Sequence, residues 1–126
     1  MRCIILLAIC FAQAAAAQQI ELFCKENSNA ADRMESPVIV NSNTGQMYGF
    51  PMFLAGACTE DFGKSAREYK ALENQFSMTC HNKIASSFLY LSRVTGRLDI
   101  TQIFHDKSNS KYERVLMCEL KQKNKF

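Results

Sequence analysis

The 126-residue chain is poor in the residues that punctuate or divide a sequence: it has two prolines, Pro37 and Pro51, and five glycines. It contains no internal repeat and no low-complexity linker, so neither a repeat array nor a string of domains is expected. Beyond the first residues no apolar stretch approaches the roughly twenty that a membrane-spanning helix needs, and no membrane anchor is expected. Histidine is scarce, with His81 and His105 the only two. No two cysteines stand as Cys-x-x-Cys, so a zinc knuckle is not expected, and no metal or other cofactor is implied.

What is present starts at the N-terminus. One positive charge at Arg2, an apolar run over residues 3–12 and the small residues Ala14 to Ala17 form the three-part layout of a secretory signal peptide. Ala15 and Ala17 are small enough for the positions that signal peptidase reads, which puts cleavage between Ala17 and Gln18. Residues 1–17 are then the signal and residues 18–126 one secreted domain, a length that fits a single core.

Cleavage removes Cys3 and Cys10 and leaves Cys24, Cys58, Cys80 and Cys118, an even set in a short secreted chain and therefore a disulfide framework. Four cysteines allow three pairings. The favoured one joins Cys24 to Cys118 across the terminal strands and Cys58 to Cys80 around an internal loop. On the chain-entropy account the first would contribute about 4 to 5 kcal/mol and the second roughly 3. Loss of Arg2 leaves the mature charge near +2, with the basic excess in Lys121, Lys123 and Lys125. That mild excess is first of all a means of solubility.

Along the chain, residues 21–25 read as a strand. Over residues 30–43 the spacing of Met34, Val38 and Ile39 suits an amphipathic helix, starting from Ser36 if Pro37 occupies its first turn. Residues 50–55 form an apolar run of strand length. A loop with Gly56, Cys58, Asp61 and Gly63 follows, then a strand at 67–72 and a second loop over 74–84. Residues 87–91 and 97–104 form a hairpin turned at Val94-Thr95-Gly96, with Leu98, Ile100, Gln102 and Phe104 on one face. Residues 106–111 turn the chain into a last strand at 112–120. The sum is an α+β fold, one α-helix packed on a four- to five-stranded antiparallel sheet whose wet face is open to a partner.

Phe23 beside Cys24, the run Tyr48-Gly49-Phe50-Pro51, the run Arg67-Glu68-Tyr69-Lys70, the Gly96 hairpin and Cys118 occur in an order that resembles the ribonuclease-like secreted effectors of powdery mildew fungi, proteins associated with haustoria. The resemblance spans essentially the whole mature chain. It implies the fold of the fungal guanyl-preferring ribonucleases. It also implies delivery into the host plant cell, action on host defences through host plant proteins and possible host RNA, and detection by an intracellular immune receptor.

Enzymes of that fold need a carboxylate base, a histidine acid and an arginine on one sheet face. Here the place of the base falls on Lys70 or Ala71, with Glu68 and Glu73 out of step. The arginine's strand reads Phe88-Leu89-Tyr90, and Arg93 and Arg97 lie in the hairpin turn. If the chain were active, His105 and Glu68 would be its catalytic candidates; His81 reads as a loop residue. The expectation is a pseudoenzyme effector that binds host targets to suppress plant immunity. Lys64, Arg67, Tyr69 and Lys70, which interleave cations with an aromatic, offer an RNA or partner surface. For a protein partner the loop between Cys58 and Cys80 and the tip at 106–111 are the expected surfaces. The alternatives are an active secreted ribonuclease and a small extracellular disulfide-bonded binding or toxin module.

Overall fold

The structure is a computed structural model of the chain and describes residues 18–26, 34–50, 55–59 and 65–121. Residues 1–17, expected to be a signal peptide, and Lys64, Lys123 and Lys125 lie outside the described residues. Eight strands follow one another: β1 (Gln19–Glu26), β2 (Glu35–Asn41), β3 (Met47–Tyr48), β4 (Ala66–Ala71), β5 (Gln75–His81), β6 (Ala85–Ser92), β7 (Arg97–Phe104) and β8 (Lys111–Leu120). One 3-10 turn, η1 (Gly56–Cys58), lies between β3 and β4. All eight strands are antiparallel in a single sheet of order β3-β2-β1-β8-β7-β6-β5-β4, curled into a half-barrel.

This nearly all-β architecture overturns the expected α+β fold of one helix on four or five strands, and with it the guanyl-preferring ribonuclease fold that the resemblance implied. The segment read as a helix is strand β2 from Glu35 onward. Its burial alternates, with Ser36, Val38 and Val40 inside and Glu35 and Pro37 exposed, the period of a strand and not of a helix. Val38, Ile39 and Val40 are β-branched and stiff at χ1, which favours a pleated surface. Pro37 is tolerated because its carbonyl faces Gly49 and not β1; nitrogen and carbonyl of a strand residue point the same way, so β1 needs no N–H there. The second correction is at 74–84, read as a loop. It is mostly β5, where Phe76, Met78 and Cys80 are buried in the core and Ser77 is buried on the opposite face. The expected strand over 50–55 falls largely outside the described residues, and its last member, Ala55, already leads into η1.

The remaining strands lie where they were expected, within a residue or two. The hairpin of β6 and β7 turns at Gly96, whose φ of +79° suits glycine and whose carbonyl accepts the Cys118 N–H at 2.8 Å. Leu98 and Ile100 are buried, as their shared face required. With Leu89 and Leu116, both at 0% exposure, they make the floor of the concave side. Each fully buried leucine is worth about 1.5–3 kcal/mol of transfer free energy.

Both disulfides have the favoured pairing. Cys24 and Cys118 are directly opposite in the β1–β8 ladder, so the bridge closes the two ends of the domain within the sheet. Cys58–Cys80 ties η1 to β5, and Gly56, Ala57 and Cys58 are all buried as a plug on the concave side. At Gly45, φ +84°, a side chain would run into the Lys70 carbonyl. The β2–β3 turn therefore rests against β4, and the two ends of the sheet meet there.

Candidate functional site

The residues singled out on β4 are divided by the pleat. Glu68 and Lys70 are exposed and ion-paired, Lys70 Nζ lying 3.3 Å from Glu68 Oε1. Arg67 and Tyr69 are half-buried on the concave side. Arg67 donates from Nη2 to the Thr59 carbonyl and from Nε to Ser65 Oγ, both at 3.0 Å. It thus braces the plug and lines a cleft of about 180 Å³ with Tyr48, Phe50 and Thr59, at the seam between the ends of the sheet. Lys70 does not share a face with Arg67 and Tyr69, because successive strand residues point to opposite faces.

On the outer face three side chains meet. His81 ends β5, Ser86 is its partner in the β5–β6 ladder, and His105 follows β7. Ser86 Oγ lies 2.8 Å from His81 Nδ1 and 2.9 Å from His105 Nε2. Ser86 is 7% exposed, whereas both imidazoles are exposed, so the rings roof the hydroxyl. Each ring nitrogen either donates to this oxygen or accepts from its hydroxyl, according to the tautomer of the imidazole. The His81 ring also meets Phe88 edge-on, with centroids 5.6 Å apart. Asn82 Oδ1 accepts the N–H groups of Ile84 and Ala85, both at 2.8 Å, making the tight β5–β6 turn that sets this register.

From the sequence His105 is a catalytic candidate and His81 a loop residue, and Ser86 is not singled out. The signal was available. His81 and Ser86 flank the polar turn Asn82-Lys83-Ile84, and a hairpin there puts them opposite each other. Glu68 stands on the same outer face, but its carboxylate is taken by Lys70. Arg93 and Arg97 are at the β6–β7 turn, the far end of the strands from His105.

A wider groove of about 340 Å³ opens at that far end, lined by Ile20, Leu22, Phe76, Leu91 and Leu120. Arg93 stands at its rim, 4.4 Å over the Phe76 ring and donating to the Leu72 carbonyl at 2.8 Å. Outside, in the middle of the sheet, Tyr90, Asp99 and Val115 stand side by side on β6, β7 and β8, and Arg97 stands beside Met117. Tyr90 is 38%, Val115 38% and Met117 43% exposed, and the Arg97–Asp99 ion pair, 3.1 Å, lies among them.

The tip at 106–111 is a polar turn. The Ser108 hydroxyl donates to Asp106 at 2.8 Å and is the main reason this exposed carboxyl is held below its ordinary value of 3.8. Desolvation opposes it, and the N–H groups of Ser110, Ser108 and Asn109 assist. Among the described residues no helix is long and apolar enough to cross a membrane. Compared with known proteins, the chain matches no family model, no curated protein and no solved structure.

Proposed function

We propose that this protein is a secreted, non-catalytic binding protein, a fungal virulence effector that engages a host plant protein with the outer face of its sheet. The observation that carries the reading is the strip of Tyr90, Val115 and Met117 with the Arg97–Asp99 pair set among them. Apolar side chains exposed together on a sheet gain from being covered by a partner, and the charges among them give register and exclude wrong partners. The two disulfides suit an oxidising compartment and a domain of this size.

Against catalysis by the expected route stands the dispersal of its parts. The Glu68 carboxylate pairs with Lys70, and Arg93 and Arg97 are at the opposite end of the strands from His105. One observation favours the second reading, an active nuclease: two imidazoles converge on one oxygen. Incubating guanosine-containing RNA with the oxidised mature protein separates them. No cleavage is expected, and cleavage lost in His105→Ala would overturn the non-catalytic reading. The surface is tested by proximity labelling in plant cells. Proteins enriched by the wild type should be lost with Met117→Asp, and an unchanged set would place the partner elsewhere. Activity on external application only, with none on expression inside plant cells, would favour the extracellular toxin or binding module.

A further inference from the structure

We infer that His81 and His105 form a two-imidazole site for a late first-row divalent metal ion on the outer face of the sheet. The site would take Cu2+ more tightly than Ni2+ or Zn2+. The argument begins with convergence. His81 Nδ1 and His105 Nε2 both lie within 2.9 Å of Ser86 Oγ, so the two nitrogens can be no farther apart than those two short hydrogen bonds placed end to end. They come from β5 and from the end of β7, with β6 between them, a spacing that the ladder fixes whatever the side chains do. The backbone holds its end of the arrangement too, since the His105 N–H donates to the Ile84 carbonyl at 2.8 Å.

Imidazole is the side chain that suits Cu2+, Ni2+ and Zn2+, and the order of affinity among those ions is intrinsic to them. Metal–nitrogen bonds of about 2.0–2.1 Å draw the nitrogens closer than a shared hydroxyl does. The rings are exposed and turn about their own side-chain bonds to close that gap. Each must present a lone pair, so the imidazole that donates to Ser86 in the metal-free protein changes tautomer. Ser86 is then the support beneath the site rather than a ligand, its hydroxyl left beside the metal-bound water. Among the described residues no group of three or more His, Cys, Asp or Glu gathers at one point, so solvent fills the other coordination positions. Such a site is open and exchangeable, unlike the closed four-ligand sites of structural zinc. The charges facing it are mixed: Lys83 sits in the adjoining turn, and Glu68 is on the same face one strand away, already paired with Lys70.

The test is titration of the oxidised mature protein with CuCl2, and separately ZnCl2, followed by calorimetry and by the Cu2+ electron-spin spectrum. One equivalent of Cu2+ should bind with nitrogen hyperfine structure from two imidazoles, and Zn2+ should bind at the same place at least about tenfold more weakly. His81→Gln and His105→Gln should each weaken Cu2+ binding by about tenfold or more, while Ser86→Ala keeps it. Both histidines are exposed, and circular dichroism confirms that the variants are folded. Unchanged Cu2+ binding in His81→Gln and His105→Gln, or loss in Ser86→Ala alone, would overturn the site. So would a spectrum of one imidazole only, or one of amine and amide nitrogens as binding at the chain's N-terminus would give.

Discussion

Cys24–Cys118 joins two strands that already face each other in a ladder, whereas Cys58–Cys80 fastens a segment from outside the sheet onto its concave side. The first has neighbours that would hold much of the same geometry without it, among them the β1–β8 backbone bonds and the Arg114–Glu26 ion pair at 3.1 Å. Among the described residues the plug of the second is held by the Ala57 N–H to Ser87 Oγ, the Arg67 bond to Thr59 and the burial of three small residues. Sequence separation, 94 against 22 residues, ranks them by the entropy each removes from the unfolded chain. The native surroundings rank them otherwise, by how much local structure depends on each. One bridge chiefly stabilises the whole domain, and the other chiefly places a segment.

The largest expected effect tests the first half of that contrast. Replacing Cys24 and Cys118 together by alanine should cost about 4 to 5 kcal/mol in urea unfolding, spread over all amides. A smaller loss than that from the other bridge would reverse the comparison. Replacing Cys58 and Cys80 together should cost roughly 3 kcal/mol, with faster hydrogen exchange at Ala57 and Thr59 and little change in β1 and β8. Uniform acceleration would mean that the plug and the sheet unfold as one.

Ser87→Ala sharpens the point at about 1–3 kcal/mol, because it strips the buried Ala57 N–H of its acceptor. In a double-mutant cycle the loss should shrink once the Cys58–Cys80 bridge is gone, since a released plug no longer needs that acceptor. Equal losses in both backgrounds would show that the plug stays seated unaided. Smallest is Asp106→Asn, at a turn that neither bridge constrains. The Asp106 carboxyl is held below 3.8 in the folded state, so its contribution is full above that value. It fades as pH falls through the lowered folded value. The wild type should lose stability relative to Asp106→Asn on acidification below about pH 4, seen in unfolding midpoints. A constant difference across that range would remove Asp106 from the account.

The cysteine pairing was legible in the sequence because an even set of four cysteines leaves few choices. So was the β6–β7 hairpin, where a glycine turn separates two runs with a clear period of two. Two strands were not. Met34, Val38 and Ile39 fit one helical stripe, and the competing alternation of Ser36, Val38 and Val40 acquires meaning only with β1 alongside. In 75–81 the alternating Phe76, Met78 and Cys80 were hidden by Ser77 and Thr79 and by the polar Asn82 that follows, which read as loop. Missing β5 also hid the outer-face cluster, since His81 and Ser86 meet only if that segment pairs with β6. The plug was read as an open loop for the same reason: nothing near Gly56 in the sequence announces that Ser87 and Gln102 will enclose it.

By itself the sequence determined the cysteine framework, the local hairpin and the alternating core of β7, because each is set by residues close together or by chemistry that admits few partners. Tertiary structure alone decided whether 35–41 and 75–81 are strands, which face of β4 each side chain takes, and that two histidines from different strands meet over one serine. Strand pairing is non-local. A short apolar segment carries nearly equal propensity for several conformations, and the neighbour that supplies its missing backbone hydrogen bonds makes the choice.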